Sequence, residues 1–290
     1  MDLSLIYQPI SRELMLVEEE LKKQLNRIIR SQSSQNQKFI NQIISYLFKV
    51  PGKLLRPALV LLCGKAVGNL EAESSEQLIN LATAVEFLHS ASLIHDDIID
   101  ESGLRRHQIT LNKQFGNQIA ILVGDIFYSQ FFSIIIDLKT SNAKLREKLL
   151  RFFCDTTKKL CFGEIYEYKI LQYGENPSLS EYLEVIENKT ASLFSVSCMG
   201  GGLLNGADEQ ITTALADYGM FLGLAFQIVD DHIDGDSIFN SEINMINKAN
   251  EYADKAKKVI GILTESPIKY KLLNLADYVM ERAKVKNRET

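Results

Sequence analysis

An acidic pattern, D-D-x-x-D, occurs twice in this chain and limits what it can fold into. Ser92–Arg106 reads SLIHDDIIDESGLRR, with aspartates Asp96, Asp97 and Asp100 followed by Arg105 and Arg106. Phe226–Asp234 reads FQIVDDHID and repeats the spacing at Asp230, Asp231 and Asp234. On a helix, residues four apart share a face, so the first and last carboxylates of each triplet repel one another. One such triplet is usually a solvated face. Two copies, each preceded by an apolar run, instead predict carboxylates lining a cleft. Metal ions answer the repulsion, and Mg²⁺ favours carboxylate and phosphate oxygens. The trailing arginines suit a diphosphate, because a guanidinium fork matches phosphate oxygens.

The 290 residues are 46% hydrophobic and 24% charged, enough for a large core, and only 5 are proline. With 16 scattered glycines and little strand-like alternation, this predicts a single all-α domain of long, mostly antiparallel helices around a central cavity, residues 1–290. A net charge of −5 with scattered basic residues argues against nucleic acid as a partner. Cys63, Cys154, Cys161 and Cys198 lack metal-ligand spacing and read as reduced core residues, as in the cytoplasm. The N-terminus lacks the basic start of a signal peptide. Ile119–Ile136 is almost wholly apolar, but Asp125 and Gln130 interrupt it, so it reads as a buried helix and no membrane span is expected.

In chain order, residues 1–31 read as one amphipathic helix and Phe39–Phe48 as a second, before a break at Pro51-Gly52. Lys53 and Arg56 stand where the next helix, Pro57–Val67, begins, as surface cations or as a phosphate site. Glu71–Gln77 reads as a polar connection. Leu78–Asp100 reads as one helix about 33 Å long. His89 stands seven residues before Asp96, two turns away on the same face; His95 reads as a core histidine. Leu145–Ile170, Ser180–Met199 and Ile211–Ile233 read as further helices, and Gly200–Gly202 as a close helix contact or kink. Ser241–Leu263 and Ser266–Lys286 are the terminal helices.

The paired acidic motifs resemble those of the trans-polyprenyl diphosphate synthases. Further matches are Gly52-Lys53-Leu54-Leu55-Arg56-Pro57 to G-K-x-x-R-P, the position of His89, Gly124-Asp125, Lys189-Thr190 and Phe226-Gln227. The resemblance runs from about Gly52 to Asp234. It implies the isoprenoid synthase fold, with Mg²⁺ on Asp96, Asp100, Asp230 and Asp234. It implies isopentenyl diphosphate on Lys53, Arg56, His89 and Arg106, and an allylic prenyl diphosphate on Arg105, Lys189, Thr190 and Gln227. The catalytic group is then Asp96, Asp100, Asp230 and Lys189. Small residues at Ala91 and Ser92 imply a chain-elongation tunnel open past the farnesyl length, closed further down by Phe127 or Phe131, on a helix with Tyr128 and Phe132. A homodimer is implied, with membrane contact only through the lipid product.

The sequence departs from the family at Glu167, where glutamine is frequent, and after Asp234, where a loop with two Gly-Lys pairs is shortened to residues 235–241. That shortening is either natural or a missing flexible loop. A class I terpene cyclase shares only the first acidic motif. A non-catalytic or weakly active subunit of a heteromeric prenyl diphosphate synthase is the alternative, favoured only by the short loop. A plain bundle with acidic faces leaves the cations before the motifs unexplained.

Overall fold

The computed structural model describes residues 2–49, 52–68, 72–140, 143–174, 176–235, 237–239 and 245–286, with side chains left aside at 72–74 and 284–286. Thirteen α-helices are described: α1 (Leu3–Tyr7), α2 (Ser11–Arg30), α3 (Ser34–Leu47), α4 (Leu55–Val67), α5 (Ala72–Ile99), α6 (Leu111–Phe115), α7 (Asn117–Ile136), α8 (Ala143–Tyr173), α9 (Leu179–Ile186), α10 (Ser192–Leu204), α11 (Glu209–Asp234), α12 (Met245–Val259) and α13 (Pro267–Lys286). A two-stranded hairpin, β1 (Leu104–Arg105) with β2 (Gln108–Ile109), is the sheet among the described residues.

The helices follow the apolar spacing. On α2, Leu14, Val17, Leu21 and Leu25 recur every three or four residues and are buried, while Glu18, Glu19, Lys22 and Lys23 face water. α4 is buried from Pro57 to Gly64, as befits a central helix. α5 packs against α7, α4 against α10, and α10 against α11. α10 and α4 approach so closely that a Cβ on Gly201 would stand 2.2 Å from the Val60 carbonyl oxygen. The glycine run Gly200–Gly202 thus lies inside α10 and serves close helix contact.

Several boundaries differ from the sequence reading. The expected helix over 1–31 is divided by a 3₁₀ turn at Gln8–Ile10, where Pro9 removes a backbone donor. Residues 72–77, read as a connection, belong to α5, which has 28 residues. The helix expected over 180–199 is interrupted by a π-helical turn, Glu187–Ala191, around Lys189. After Asp100 the chain forms the hairpin, which that reading lacked. Residues 236 and 240–244 of the shortened connection and terminal helix start lie outside the described residues.

α7 and α11 are long and apolar enough to cross a membrane, by length and composition only. α7 turns Val123, Phe127 and Phe131 to the core and leaves Ile121, Leu122 and Ile126 exposed.

Candidate diphosphate and metal site

The end of α5 carries the first acidic motif: Asp96 and Asp97 are buried, and Asp100 is exposed. Facing it, α8 contributes Glu164 and Glu167. Carboxylate oxygens of Asp100, Glu164 and Glu167 all lie within 4.8 Å of one another. Such a set of hard oxygen donors fits a divalent cation of the Mg²⁺ or Ca²⁺ kind. Burial, then the neighbouring Glu164 charge, raises the Asp96 carboxyl well above its usual range, against the pull of Lys189. Lys189 pairs with Glu164 at 2.9 Å and with Glu167. Burial alone would lower this ammonium, but the two carboxylates overcome it and hold the pKa above the usual lysine value.

Lys189 is aimed by the π-helical turn, a feature frequent at functional sites. Gly163 allows the turn to sit against α8: a Cβ there would meet the Lys189 backbone nitrogen at 2.5 Å. The same turn carries Thr190, whose hydroxyl donates to Gln227 Oε1 at 2.7 Å. Gln227 in turn donates to Asp231 at 2.7 Å, and the Tyr182 hydroxyl donates to the other Asp231 oxygen at 2.6 Å. The middle aspartate therefore anchors α11 to the turn, while Asp230 is half-buried and Asp234 exposed at the helix end. Asp230 pairs with Arg282 of α13, and burial raises its pKa despite that cation.

The cations gather beside α4. Arg56 Nη1 lies 2.9 Å from His89 Nε2, and its guanidinium covers the Phe194 ring at 4.8 Å. Burial pulls Arg56 down to about 10, and Glu86, Asp230 and Asp96 resist that fall. Burial and then Arg56, Arg106 and Arg105 hold His89 well below 6.5, so at neutral pH the ring is uncharged and Nε2 accepts from Arg56. Arg106 and Glu86 converge on Gly52, where an added Cβ would stand 3.0 Å from Arg106 Nη1 and 3.4 Å from Glu86 Oε1. Lys53 is exposed, with its carbonyl accepting from the Tyr7 hydroxyl at 3.1 Å. Arg105 donates through Nε to Asp97 at 2.8 Å.

Among the described residues, four non-glycines adopt positive φ: Leu54 (50°), Glu101 (51°), Arg106 (52°) and His107 (63°). Each adjoins a candidate ligand or is one. Arg106 and His107 form the two-residue turn of the hairpin, a place that favours asparagine and glycine. Backbone strain of this kind persists where surrounding structure enforces it, and it gathers at functional sites.

The four expected tunnel residues separate. Ala91 is fully buried, and Ser92 is partly buried with its hydroxyl on the His89 carbonyl at 2.9 Å. Phe127 stacks edge-on to Phe87 at 5.2 Å, and Phe131 does the same with Phe153 at 5.3 Å. Both are core rings as packed. Phe127 also lines, with Gly52, Glu86, Arg105 and Arg106, a cleft of about 120 Å³. A larger surface groove of about 1110 Å³ runs past charged residues of α2 and includes none of the motif residues. Glu164, Glu86 and Arg282 belong to the site and had no role in the sequence reading. The i, i+3 pair Glu164–Glu167 was its nearest sequence signal.

An all-α bundle that brings two aspartate-rich helix ends together with two cation sets has the isoprenoid synthase fold, as its structural neighbours do. The decaprenyl diphosphate synthase of Rhodobacter capsulatus superposes with a TM-score of 0.82 at 26% identity, over 97% of this chain and 99% of that one. Residues 37–250 match the family model described as polyprenyl synthetase, and the chain belongs to that family. The octaprenyl diphosphate synthase of Haemophilus influenzae is 37% identical over 214 residues, 73% of this chain and 61% of the relative. That of Escherichia coli is 34% identical over 212 residues, 72% of this chain and 62% of the relative. The chain thus spans about three-fifths of the length of these curated relatives.

Proposed function

We propose that this protein is a Mg²⁺-dependent trans-prenyltransferase. It would condense an allylic prenyl diphosphate with isopentenyl diphosphate to a medium- or long-chain all-trans polyprenyl diphosphate. The observation that carries the reading is the gathering of carboxylates and cations from α4, α5, α8, α10's preceding turn and α11 at one end of the bundle. The names of the octaprenyl and decaprenyl relatives support a long product.

The reaction breaks the allylic C–O bond, and the electron pair leaves with the diphosphate. Mg²⁺ held by Asp96, Asp100, Asp230 and Asp234, with Glu164 and Glu167 beside them, would neutralise charge building on that group. Lys189 and Arg105 would hold the same diphosphate by charge-assisted hydrogen bonds, aided by Thr190 and Gln227. Lys53, Arg56 and Arg106 would hold isopentenyl diphosphate, while neutral His89 fixes Arg56. The isopentenyl double bond attacks the allylic carbon, a carbon–carbon bond forms, and a proton leaves, taken up by the departing diphosphate. No side chain is needed as a nucleophile. Apolar walls around Ala91 would keep water from the cation, and the elongating chain would pass Ala91 and Ser92 toward Phe127 and Phe131.

Exposed apolar residues on α7 (Ile121, Leu122) and α8 (Ile165, Leu171) support a homodimer. The four free cysteines agree with a reducing cytoplasmic setting. Product analysis tests the reading: purified protein, Mg²⁺, farnesyl diphosphate and radiolabelled isopentenyl diphosphate should give chains longer than geranylgeranyl. Chains ending at farnesyl or geranylgeranyl would overturn the long-product assignment.

A further inference from the structure

Two arginines flank one pair of adjoining rings, tilted by 42°, within the site. Arg56 covers Phe194 at 4.8 Å, Arg282 covers Phe226 at 4.8 Å, and the two rings lie 5.2 Å apart. The order is cation, ring, ring, cation, joining the start of α4 to the end of α13 across α10 and α11. Arg282 spends Nη2 on Asp230. Its Nη1 is buried and has no hydrogen-bond partner. A buried charged donor without an acceptor is unfavourable unless something else fills the role.

The surroundings indicate what that partner is. Arg282 lies one turn beyond Tyr278, and Tyr278 neighbours Tyr7, whose hydroxyl reaches the Lys53 carbonyl. The arginine therefore stands between the second acidic motif and the cations beside α4. Between Asp234 and Lys248 the sequence has no lysine or arginine, so the cation that meets Asp230 comes from α13. The aromatic shelf holds the guanidinium plane, and turning on that shelf exchanges one acceptor for another without leaving the ring.

We propose that Arg282 is a diphosphate ligand held in reserve: it neutralises Asp230 while no metal is bound, and once a divalent cation takes that carboxylate, its guanidinium turns to the diphosphate of isopentenyl diphosphate. This rests on the site being a prenyl diphosphate site. It makes metal loading a precondition for full isopentenyl diphosphate binding. The exchange is one of charges: Asp230 keeps a cationic partner throughout, and the released guanidinium gains an anion.

The test uses the full chain with Arg282→Gln, Arg282→Lys and Asp230→Asn. Free Mn²⁺ is followed by electron paramagnetic resonance without substrate. Removing the competing guanidinium should tighten Mn²⁺ binding at least threefold in Arg282→Gln, and Asp230→Asn should erase that difference. In the presence of Mn²⁺, inorganic pyrophosphate should bind at least tenfold more weakly to Arg282→Gln, with Arg282→Lys recovering most of the loss. In turnover, the KM for isopentenyl diphosphate should rise about tenfold while that for the allylic primer stays within twofold. Unchanged or weaker Mn²⁺ binding in Arg282→Gln would overturn the proposal, as would unchanged pyrophosphate binding. Because the Mn²⁺ and pyrophosphate measurements need no turnover, they decide the role of Arg282 even if the wild type transfers no prenyl group.

Discussion

Replacing Gly163 with alanine adds one methyl group where α8 meets the π-helical turn. That carbon would stand 2.5 Å from the Lys189 nitrogen, 2.8 Å from its Cα and 2.9 Å from its Cβ, against an ordinary contact distance of 3.4 Å or more. The two segments must part by about 0.9 Å, and the nearest atoms are backbone, which yields less readily than a side-chain tip. Overpacking of this kind costs about 3 kcal/mol. Alanine's better helix propensity returns about 1 kcal/mol. The net loss of about 2 kcal/mol corresponds to a Tm lower by roughly 3 °C in a chain of 290 residues. The opening also falls on the pair that aims Lys189, whose Nζ is 2.9 Å from Glu164. If the parting runs along that pair, the ion-pair contact stretches to about 3.8 Å and its attraction weakens. The KM for the allylic diphosphate should then rise several-fold at temperatures well below the melt. Two other glycines complete the experiment, read by thermal circular dichroism and steady-state kinetics. Gly201→Ala meets Val60 at 2.2 Å, so it should lower Tm yet leave the allylic KM alone. Gly261 has no neighbour within 4 Å, and its alanine variant should match the wild type within about 0.5 kcal/mol. A Gly163→Ala protein with wild-type Tm and wild-type KM would refute the close approach and its role in placing Lys189.

Arg106→Gly removes a left-handed non-glycine at φ 52°, worth about 1–2 kcal/mol of strain. Denaturant unfolding should show a protein as stable as the wild type or more so, while the isopentenyl diphosphate KM rises at least tenfold for the lost cation. Gln227→Leu breaks the links from Thr190 and to Asp231, and chemical denaturation should register a loss of about 1–3 kcal/mol together with slower turnover. His89 is held below its ordinary value by burial and by Arg56, Arg106 and Arg105, so the unfolded chain binds this proton more tightly than the folded one. Stability from this group is present above pH 6.5 and is lost as pH falls below it. His89→Gln should flatten the fall in urea midpoint between pH 7 and 5.5, and an unaltered slope would contradict the neutral ring.

The D-D-x-x-D spacing made the shared carboxylate face legible, because helical period alone fixes it. Asp96 and Asp100 lie at the end of α5 as that period requires, and Asp230 and Asp234 at the end of α11. The long helices were legible too, since stretches such as Leu78–Ile94 are apolar on the buried face. What escaped the sequence depends on tertiary contact. Glu164 and Glu167 show no special spacing from the aspartates; only the packing of α8 on α5 brings them together. The π turn at Lys189 has no local signature, and its close approach to Gly163 appears only when it packs on α8. The hairpin after Asp100 lacks asparagine or glycine at its tip, so nothing in Arg106-His107 announces positive φ. Arg282 sits in an ordinary amphipathic terminal helix, and its meeting with Asp230 and Phe226 appears only when α13 packs on α11. Pro9, by contrast, was a visible break that the amphipathic pattern over 1–31 masked.

Incorporation of radiolabelled isopentenyl diphosphate tests the central claim most directly. The wild type, stripped of metal by chelation and then resupplied with Mg²⁺, should convert label and farnesyl diphosphate to organic-extractable product. Asp96→Ala and Asp230→Ala should each fall at least a hundredfold under the same conditions. Extractable product that persists at wild-type level in Asp96→Ala, or no product from folded wild type with Mg²⁺, would contradict the reading of this site as a prenyl-transfer centre.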